Sequence, residues 1–271
     1  MCLSDILVEN VGIQKLLLNS INIGDEGAKA ISNMLKKNKS IRILQLSNNT
    51  IDYSEIHLHG NGIGNEGIRE LMSALSAHKG KITVVDIGNN NISPEGLRPV
   101  AEFLKRTKSL QWFSLYMNDI SDEGAEKVAE ALKDNKTIST IDLLDLSYNP
   151  IGSDGVKALC DVLKFHGKIQ TLKLGWCQIG VEGAECIADC LKYNTTLSTL
   201  DLRANGLGDD GAICLARSFK IINESLTSLD LGFNEIRDDG AFALAQALKA
   251  NEDLAVTSLN LANNFFTKFG Q

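Results

Sequence analysis

Two stretches, LSTLDLRANGLGDDGA (197–212) and LTSLDLGFNEIRDDGA (226–241), decide the fold. They share the frame L-x-x-L-x-L-x-x-N-x-I/L, followed after two residues by an acid, a glycine and usually an alanine. Leu200-Asp201-Leu202 alternates apolar and polar, which is the period of a strand. In GAFALAQALKA (240–250), Ala241, Leu244 and Leu248 recur at helical spacing. Each copy therefore predicts a short strand followed by a helix, and self-similarity of this kind marks a repeat architecture.

The same frame runs outward in both directions. Its third apolar residue falls at Leu18, Leu46, Leu58, Ile87, Leu115, Leu146, Leu174, Leu202, Leu231 and Leu261, with spacings of 28, 12, 29, 28, 31, 28, 28, 29 and 30 residues. Three places later stand Asn49, Asn61, Asn90, Asn118, Asn149, Asn205, Asn234 and Asn264; Cys177 and Ile21 replace the asparagine in two copies. A buried amide at this place can satisfy backbone groups of adjoining coils, which no apolar side chain could do. At Ile21 the ladder is expected to break.

This frame resembles the leucine-rich repeat. The 28-residue period and helical second half resemble the ribonuclease-inhibitor type, shared with the Ran GTPase-activating protein and the C-terminal sensors of NOD-like receptors. The wording GAICLARSFK, LDLGFNEIRDDGAFALAQALKANED and NLANNFFTKFG is similar to plant leucine-rich repeat proteins named after those receptors. The resemblance spans residues 3–271 and implies an α/β solenoid, a horseshoe with a concave parallel sheet and convex helices. The expected organisation is one domain, 1–271: a partial helix at 1–12, repeats over 13–255, and a capping half-repeat at 256–271.

Two junctions break the period. Between Leu46 and Leu58 only residues 47–55 connect two strands, while a parallel crossover ordinarily takes about a dozen residues or more. The two strands flanking 47–57 are therefore not expected to sit normally in one sheet. The second irregularity, near 138–146, lies in TISTIDLLDLSYNP (137–150), which holds two strand registers, Ile138/Ile141/Leu143 and Ile141/Leu144/Leu146. The opening LSDILVENVGIQKLLL (3–18) aligns without gaps on LCDVLKFHGKIQTLKL (159–174), so the chain begins partway through a repeat's helix. A shortened form of a longer array is the expectation. Phe265, Phe266 and Phe269 are expected to shield the last coil.

Composition excludes several classes. With 27 Lys+Arg against 34 Asp+Glu, net charge −7 and no basic stripe, a phosphate backbone has little to bind, and no nucleic acid partner is expected. No run of apolar residues is long enough to span a bilayer, and no membrane partner is expected. The start MCLSDILVEN has no basic region before a long apolar run, so it does not read as a secretory signal. Six spread cysteines fit a reducing compartment, cytoplasmic or nuclear, or a plastid if a longer form carries a transit peptide. Twelve of the 34 carboxylates precede the repeat glycines, where they suit the positive ends of helices, and lysines gather at the opposite ends. The glycines themselves are expected to let layers approach closely.

Catalytic motifs do not converge. GIGNEG (62–67) has the form of a phosphate-binding fingerprint but falls on the repeat's own glycines, without the long buried strand such a site needs. His57 and His59 share one face of a strand, and Cys186 and Cys190 lie one helical turn apart; neither pair has further ligands at metal spacing. No enzyme, cofactor or metal is expected. The N-x-S/T sites at Asn38, Asn48, Asn91, Asn135, Asn194 and Asn223 read as turn chemistry before strands.

The informative surface is what the strands display. Residues flanking the marker leucines face away from the core: the acids Asp86, Asp145, Asp201 and Asp230 in one column, with Trp112, Tyr116, Met117, Tyr148, Trp176, Arg203 and Phe233 nearby. Aromatics with arginine, bordered by carboxylates, match the composition of interface hot spots. The alternative is that Tyr148 and Trp176 fold over the loop onto the next repeat. Strands about 4.8 Å apart make an arc on the order of 40 Å. The expected function is a non-catalytic scaffold that binds a protein partner on this concave face, with the acids selecting a basic or polar counterpart. The alternatives implied by the resemblance are GTPase activation, against which the ending FFTKFGQ lacks an acidic tail, and a fragment of a NOD-like-receptor sensor. Amide hydrogens of the first helix and of 47–57 are expected to exchange fastest, a point that hydrogen-exchange mass spectrometry checks directly.

Overall fold

The computed structural model describes residues 3–13, 15–18, 25–38, 40–41, 43–45, 55–77, 81–135, 141–165, 167–219, 223–251 and 254–270. Ile21, Leu46, Asn48, Asn49, Lys136 and Ile138, with most of the first irregular junction, lie outside those residues. The chain packs as two compact units, one of Met1–Ile120 with Glu130–Ile141, the other of Ser121–Ala129 with Asp142–Gln271. Each is a run of strand–helix coils, an α/β leucine-rich-repeat solenoid.

In the first unit the strands are β1 (Lys15–Leu17), β2 (Ile43–Gln45), β3 (Glu55–His57), β4 (Val84–Asp86) and β5 (Trp112–Ser114), paired parallel in chain order. The helices α1 (Leu3–Leu7), α2 (Asp25–Lys37), α3 (Gly64–Ala77) and α4 (Leu97–Arg106) pack in succession behind them. Helix α5 (Ser121–Asp134) follows β5. In the second unit β6 (Leu143–Asp145), β7 (Thr171–Lys173), β8 (Thr199–Asp201), β9 (Ser228–Asp230) and β10 (Ser258–Asn260) repeat the arrangement. There α6 (Ser153–Leu163), α7 (Gly180–Leu191), α8 (Gly208–Ser218) and α9 (Asp238–Ala250) form the outer layer. Among the described residues no helix is long and apolar enough to cross a membrane.

The expected gap at the first junction does not open. Strands β2 and β3 pair side by side, Leu44 with Ile56 and Gln45 with His57, and α2 packs directly on α3. The reason is reach: nine residues can span about 30 Å when extended, far more than a return along a three-residue strand requires. A helix is the usual crossover, but the geometry does not demand one. At the second junction the later register holds, with Leu144 and Leu146 buried and Leu143 part-exposed. The alignment of 3–18 on 159–174 is kept to the residue, since α1 ends at Leu7 where α6 ends at Leu163, and β1 matches β7.

Asparagine amides join the coils. Asn90 accepts from the N–H of Asn61 (3.0 Å) and of Ile63 (3.3 Å), and donates to the carbonyls of Leu58 and Gly88 (both 2.8 Å). Asn205 accepts from the N–H of Cys177 (3.2 Å) and of Ile179 (3.4 Å), and donates to Leu174 (2.8 Å), Leu202 (3.0 Å) and Arg203 (3.1 Å). Cys177 keeps the same connections weakly: its thiol donates to Leu146 O at 3.6 Å, and its sulfur accepts from the Asn149 and Ile151 amides.

A second asparagine ladder lies before the strands, at the N-x-S/T sites. Asn194 donates to Leu163 O (2.6 Å) at the end of the preceding helix, and accepts from the N–H of Leu197 (2.7 Å). Asn223 does the same with Leu191 O (2.6 Å) and the Leu226 N–H (2.8 Å). Asn38, Asn135, Asn194 and Asn223 are all buried.

The helix-start acids work differently from expectation. No side chain caps its own helix among the helices whose caps are defined. Asp122 instead accepts from the N–H of Gly152 (2.6 Å) and of Gly155 (3.0 Å) at the start of α6. Asp209 likewise takes the N–H of Arg237 (2.7 Å) and of Gly240 (2.9 Å) at the start of α9. The favourable charge at a helix N-terminus thus comes from the previous coil. This explains the repeat glycine, because a Cβ on Gly155 or Gly240 would sit 2.7 Å from that carboxylate.

Of the phenylalanines at the end, Phe266 is part-buried while Phe265 and Phe269 face solvent. Phe265 and Phe269 are 60% and 84% exposed, and Leu259 and Leu261 remain half-exposed. The segment is held by polar contacts instead, with Asp238 accepting from the Thr267 amide (2.8 Å) and hydroxyl.

The ladder yields a stability test. Cys177→Asn is expected to add about 1 kcal/mol by replacing weak sulfur contacts with amide ones. Asn205→Leu strands buried N–H and C=O groups and is expected to cost about 3 kcal/mol or more. Urea unfolding of the two variants beside the parent measures both.

Candidate functional site

The second unit holds seven of the residues singled out from sequence. Immediately after each strand the chain turns through a left-handed residue that precedes the ladder asparagine or cysteine. Tyr148 (φ 57°), Trp176 (φ 58°), Ala204 (φ 53°) and Phe233 (φ 59°) occupy this column. Tyr148 and Trp176 stack with centroids 5.3 Å apart and planes 15° apart. Trp176 and Phe233 come to 5.8 Å although a whole coil separates them. That approach is possible because Ala204, between them in register, has only a methyl group.

The three rings are 38%, 43% and 47% exposed. They have not folded into the space between coils; they lean on one another along the outer edge of the sheet. The left-handed region costs a bulky side chain on the order of 1 kcal/mol or more. At the same repeat position elsewhere, Gly60, Asn89 and Asn263 are residue types that tolerate it well, while Met117 (φ 54°) is another bulky side chain held there.

The acid column corrects a further expectation. Asp145 and Asp201 are only 9% and 7% exposed. Each accepts from the amide two residues on, Ser147 and Arg203 respectively, both at 3.1 Å, which closes the turn after the strand. Asp145 also lies 3.6 Å from Lys173 Nζ. Asp201 receives Arg203 through both Nε (3.0 Å) and Nη2 (2.7 Å). That fork raises the Arg203 pKa above its ordinary value, first through the hydrogen bond to Asp201. A Cβ on Gly175 would press against Asp201 and Arg203, so the glycine makes room for the pair. Asp145 and Asp201 are therefore spent on their own chain. Asp230 is more exposed, and among the described residues no basic group comes within salt-bridge distance, though Arg203 feels its charge; its Oδ1 accepts from Gly232 N–H (2.9 Å) and Asn260 Nδ2 (3.1 Å).

Trp112 and Tyr116 lie in the first unit, and there the structure adds histidines that sequence reasoning had set aside. The His57 ring meets Trp112 edge-on at 5.8 Å, and His59 lies against Tyr116 at 5.7 Å. Gly88 sits between the second pair in register, and a Cβ on it would come within 2.6 Å of His59 Nδ1. His57 Nε2 is 3.1 Å from Glu55, and His59 Nδ1 is 3.8 Å from Asp86. Burial alone would raise the Asp86 carboxyl, but hydrogen bonds from His59 and the Gly88 amide hold it below its usual value. The signal available in the sequence was the glycine standing in column between two rings.

Among the described residues no group of three or more metal-ligating side chains assembles. In GIGNEG the Gly64 amide, where a phosphate would be held, donates instead to Asn90 O at 2.8 Å. Burial pushes the Cys177 thiol up to about 12 and raises Cys186 and Cys214; Cys160 rises through its hydrogen bond to Cys190 and its burial.

Coils of this form define a repeat protein built to display a sheet face. Seven segments, 13–32, 80–101, 109–129, 137–160, 168–188, 193–216 and 223–245, match the family model described as "Leucine Rich repeat", together more than half of the chain. The chain belongs to the leucine-rich repeat family, a family of protein-binding scaffolds. It is 27% identical over 113 residues to human "NACHT, LRR and PYD domains-containing protein 13", a match covering 42% of this chain. The match spans about a tenth of that relative, 10% of its length. Among solved structures, "Leiomodin-1 Actin-Binding Site 2 (ABS2)" is similar with a TM-score of 0.43 and 21% identity, over 49% of this chain and 76% of that one.

Burial of the thiols, reinforced at Cys160 and Cys177 by raised pKa values, predicts an order of alkylation. At pH 8 only about one part in ten thousand of Cys177 is thiolate. Native protein treated with iodoacetamide is therefore expected to modify Cys186 and Cys214 first, and Cys160, Cys177 and Cys190 only on unfolding, read residue by residue by peptide mass spectrometry.

Proposed function

We propose that the protein is a non-catalytic scaffold that grips a protein partner on the exposed sheet face of its repeats, anchored by Tyr148, Trp176 and Phe233. The single observation behind this reading is that three bulky rings occupy left-handed backbone positions where glycine or asparagine would cost less. Their ring contacts, about 0.5–1.5 kcal/mol each, roughly offset the backbone cost, so the ridge adds little to the fold. What it adds is rigid, solvent-facing aromatic area, the commonest material of interface hot spots. The partner suited to it brings an apolar anchor to the rings and a lysine or arginine to Asp230. Trp112 and Tyr116, with His57 and His59, offer the corresponding aromatic surface of the first unit.

The 28-residue period and helical outer layer support the ribonuclease-inhibitor type of repeat, and the wording of 211–220, 229–253 and 260–270 supports the likeness to plant NOD-like-receptor proteins. The similarity to the human NACHT-, LRR- and PYD-domain protein favours a second reading, in which these repeats are the sensing portion of a longer receptor. A longer transcript encoding a nucleotide-binding domain ahead of residue 1 is the outcome that second reading needs.

Asparagine suits the left-handed backbone, so the triple variant Tyr148→Asn, Trp176→Asn, Phe233→Asn is expected to keep its stability within about 1–2 kcal/mol of the parent. The same variant is expected to lose partner capture in quantitative affinity purification. Equal recovery of the same partner by parent and variant would refute the ridge as its anchor.

A further inference from the structure

We propose that the first unit carries a second docking site, on the helix side, for an acidic segment of a partner protein. Between α3 and α4 runs a groove of about 700 Å3, adjoined by a smaller depression of about 240 Å3 toward the helix ends. Three of the chain's seven arginines, Arg69, Arg98 and Arg106, line it. Glu95 and Glu102 line it too, so three arginines stand against two carboxylates and the walls carry a small positive excess in a chain of net charge −7.

The groove has a cause in the sequence. Two of the chain's three prolines, Pro94 and Pro99, fall on this coil. Pro94 opens a 3-10 turn, Pro94–Gly96, in place of the first turn of an α-helix, so α4 has 10 residues where α3 has 14. The shorter helix meets a flank of α3 made of Ser73, Ser76 and Ala77, too small to fill the space. Pro99 and Ala77 give the groove its accessible apolar surface, with Met72 buried beneath them.

The charges along its walls select the occupant. Arg106 is 3.7 Å from Glu102, which Lys105 approaches at the same distance, and Arg69 pairs with Glu66. Among the described residues Arg98 has no carboxylate partner. Lys108, at the mouth of the smaller depression, has none either. Guanidinium groups bind carboxylates in bidentate fashion and keep their charge at any physiological pH. Glu95 and Glu102 on the same walls would repel a continuous phosphate backbone but leave room for separated carboxylates. An amphipathic acidic helix fits, with apolar side chains over Pro99 and Ala77 and carboxylates toward Arg98 and Arg106.

The probe is a short fluorescein-labelled helical peptide with leucine along one flank and glutamate along the others, titrated with the full chain by anisotropy. A saturable signal is expected, weakened steeply by salt and by at least about tenfold in Arg98→Ala/Arg106→Ala. Both side chains are solvent-facing, so circular dichroism of that variant should match the parent, and Arg98→Gln alone offers a milder substitution if it does not. The Tyr148, Trp176 and Phe233 substitutions are expected to leave this binding unchanged, so failure here and failure of the ridge are told apart. Absence of saturable binding, equal binding of a lysine-for-glutamate peptide, or full retention in the arginine variants would overturn the proposal. Preference for a phosphoserine peptide over the glutamate one would overturn the carboxylate assignment.

Discussion

A three-residue strand is too short to hold a coil in place, and the asparagine amide supplies what it lacks. Each coil must turn sharply twice, and both turns leave buried N–H and C=O groups with no strand partner. An amide side chain has two donor hydrogens and an acceptor oxygen with two lone pairs, enough to satisfy groups on its own coil and the coil before. Asn90 and Asn205 do this at the end of the strand, and Asn194 and Asn223 at its beginning. Because each amide spans two coils, loss of one rung weakens two repeats together. A quasi-one-dimensional protein depends on such nearest-neighbour terms.

The same constraint shapes the displayed surface. Folding the asparagine inward drives the residue before it into the left-handed region and points that side chain toward solvent. The column is therefore fixed in place by the ladder, and its occupants are free to vary in kind. Two ring pairs have a small residue between them in register, Trp176 and Phe233 across Ala204 and His59 and Tyr116 across Gly88, while Tyr148 and Trp176 stack from adjoining coils and Arg203 lies over Gly175. The missing side chain lets two rings from alternate coils close to within 6 Å. Those two pairs are thus each written over three coils at once.

Repeat register was legible in the sequence because it depends on spacing alone. The opening segment superimposes on 159–174 to the residue, and the later strand register at 143–145 follows from where Leu144 and Leu146 fall. Features that depend on the neighbouring coil were not legible. Asp122 and Asp209 stand at the starts of their own helices and read as caps for them, yet they reach the next helix, because coil spacing brings its free N–H groups closer. Asp145 and Asp201 read as an outward-facing column, and alternation does place them there, but it says nothing of Lys173 and Arg203 lying against them. The N-x-S/T asparagines looked like turn residues one at a time; only stacked coils reveal that they form a second ladder.

Neutralisation of that acid column changes which forces are available for recognition. With Asp145 and Asp201 engaged internally, the sheet face of the second unit offers a long aromatic edge and the single more exposed carboxylate of Asp230. Burial of aromatic area is insensitive to ionic strength, whereas interactions between exposed charges fade once the Debye length falls below their separation. Among the described residues Arg98 and Lys108, on the helix side of the first unit, have no such internal partners, and contacts made there depend on long-range charge. The two surfaces therefore draw on different physics. A partner held by the ridge would remain as salt rises, while one held in the arginine groove would be released, so ionic strength alone separates them without any substitution.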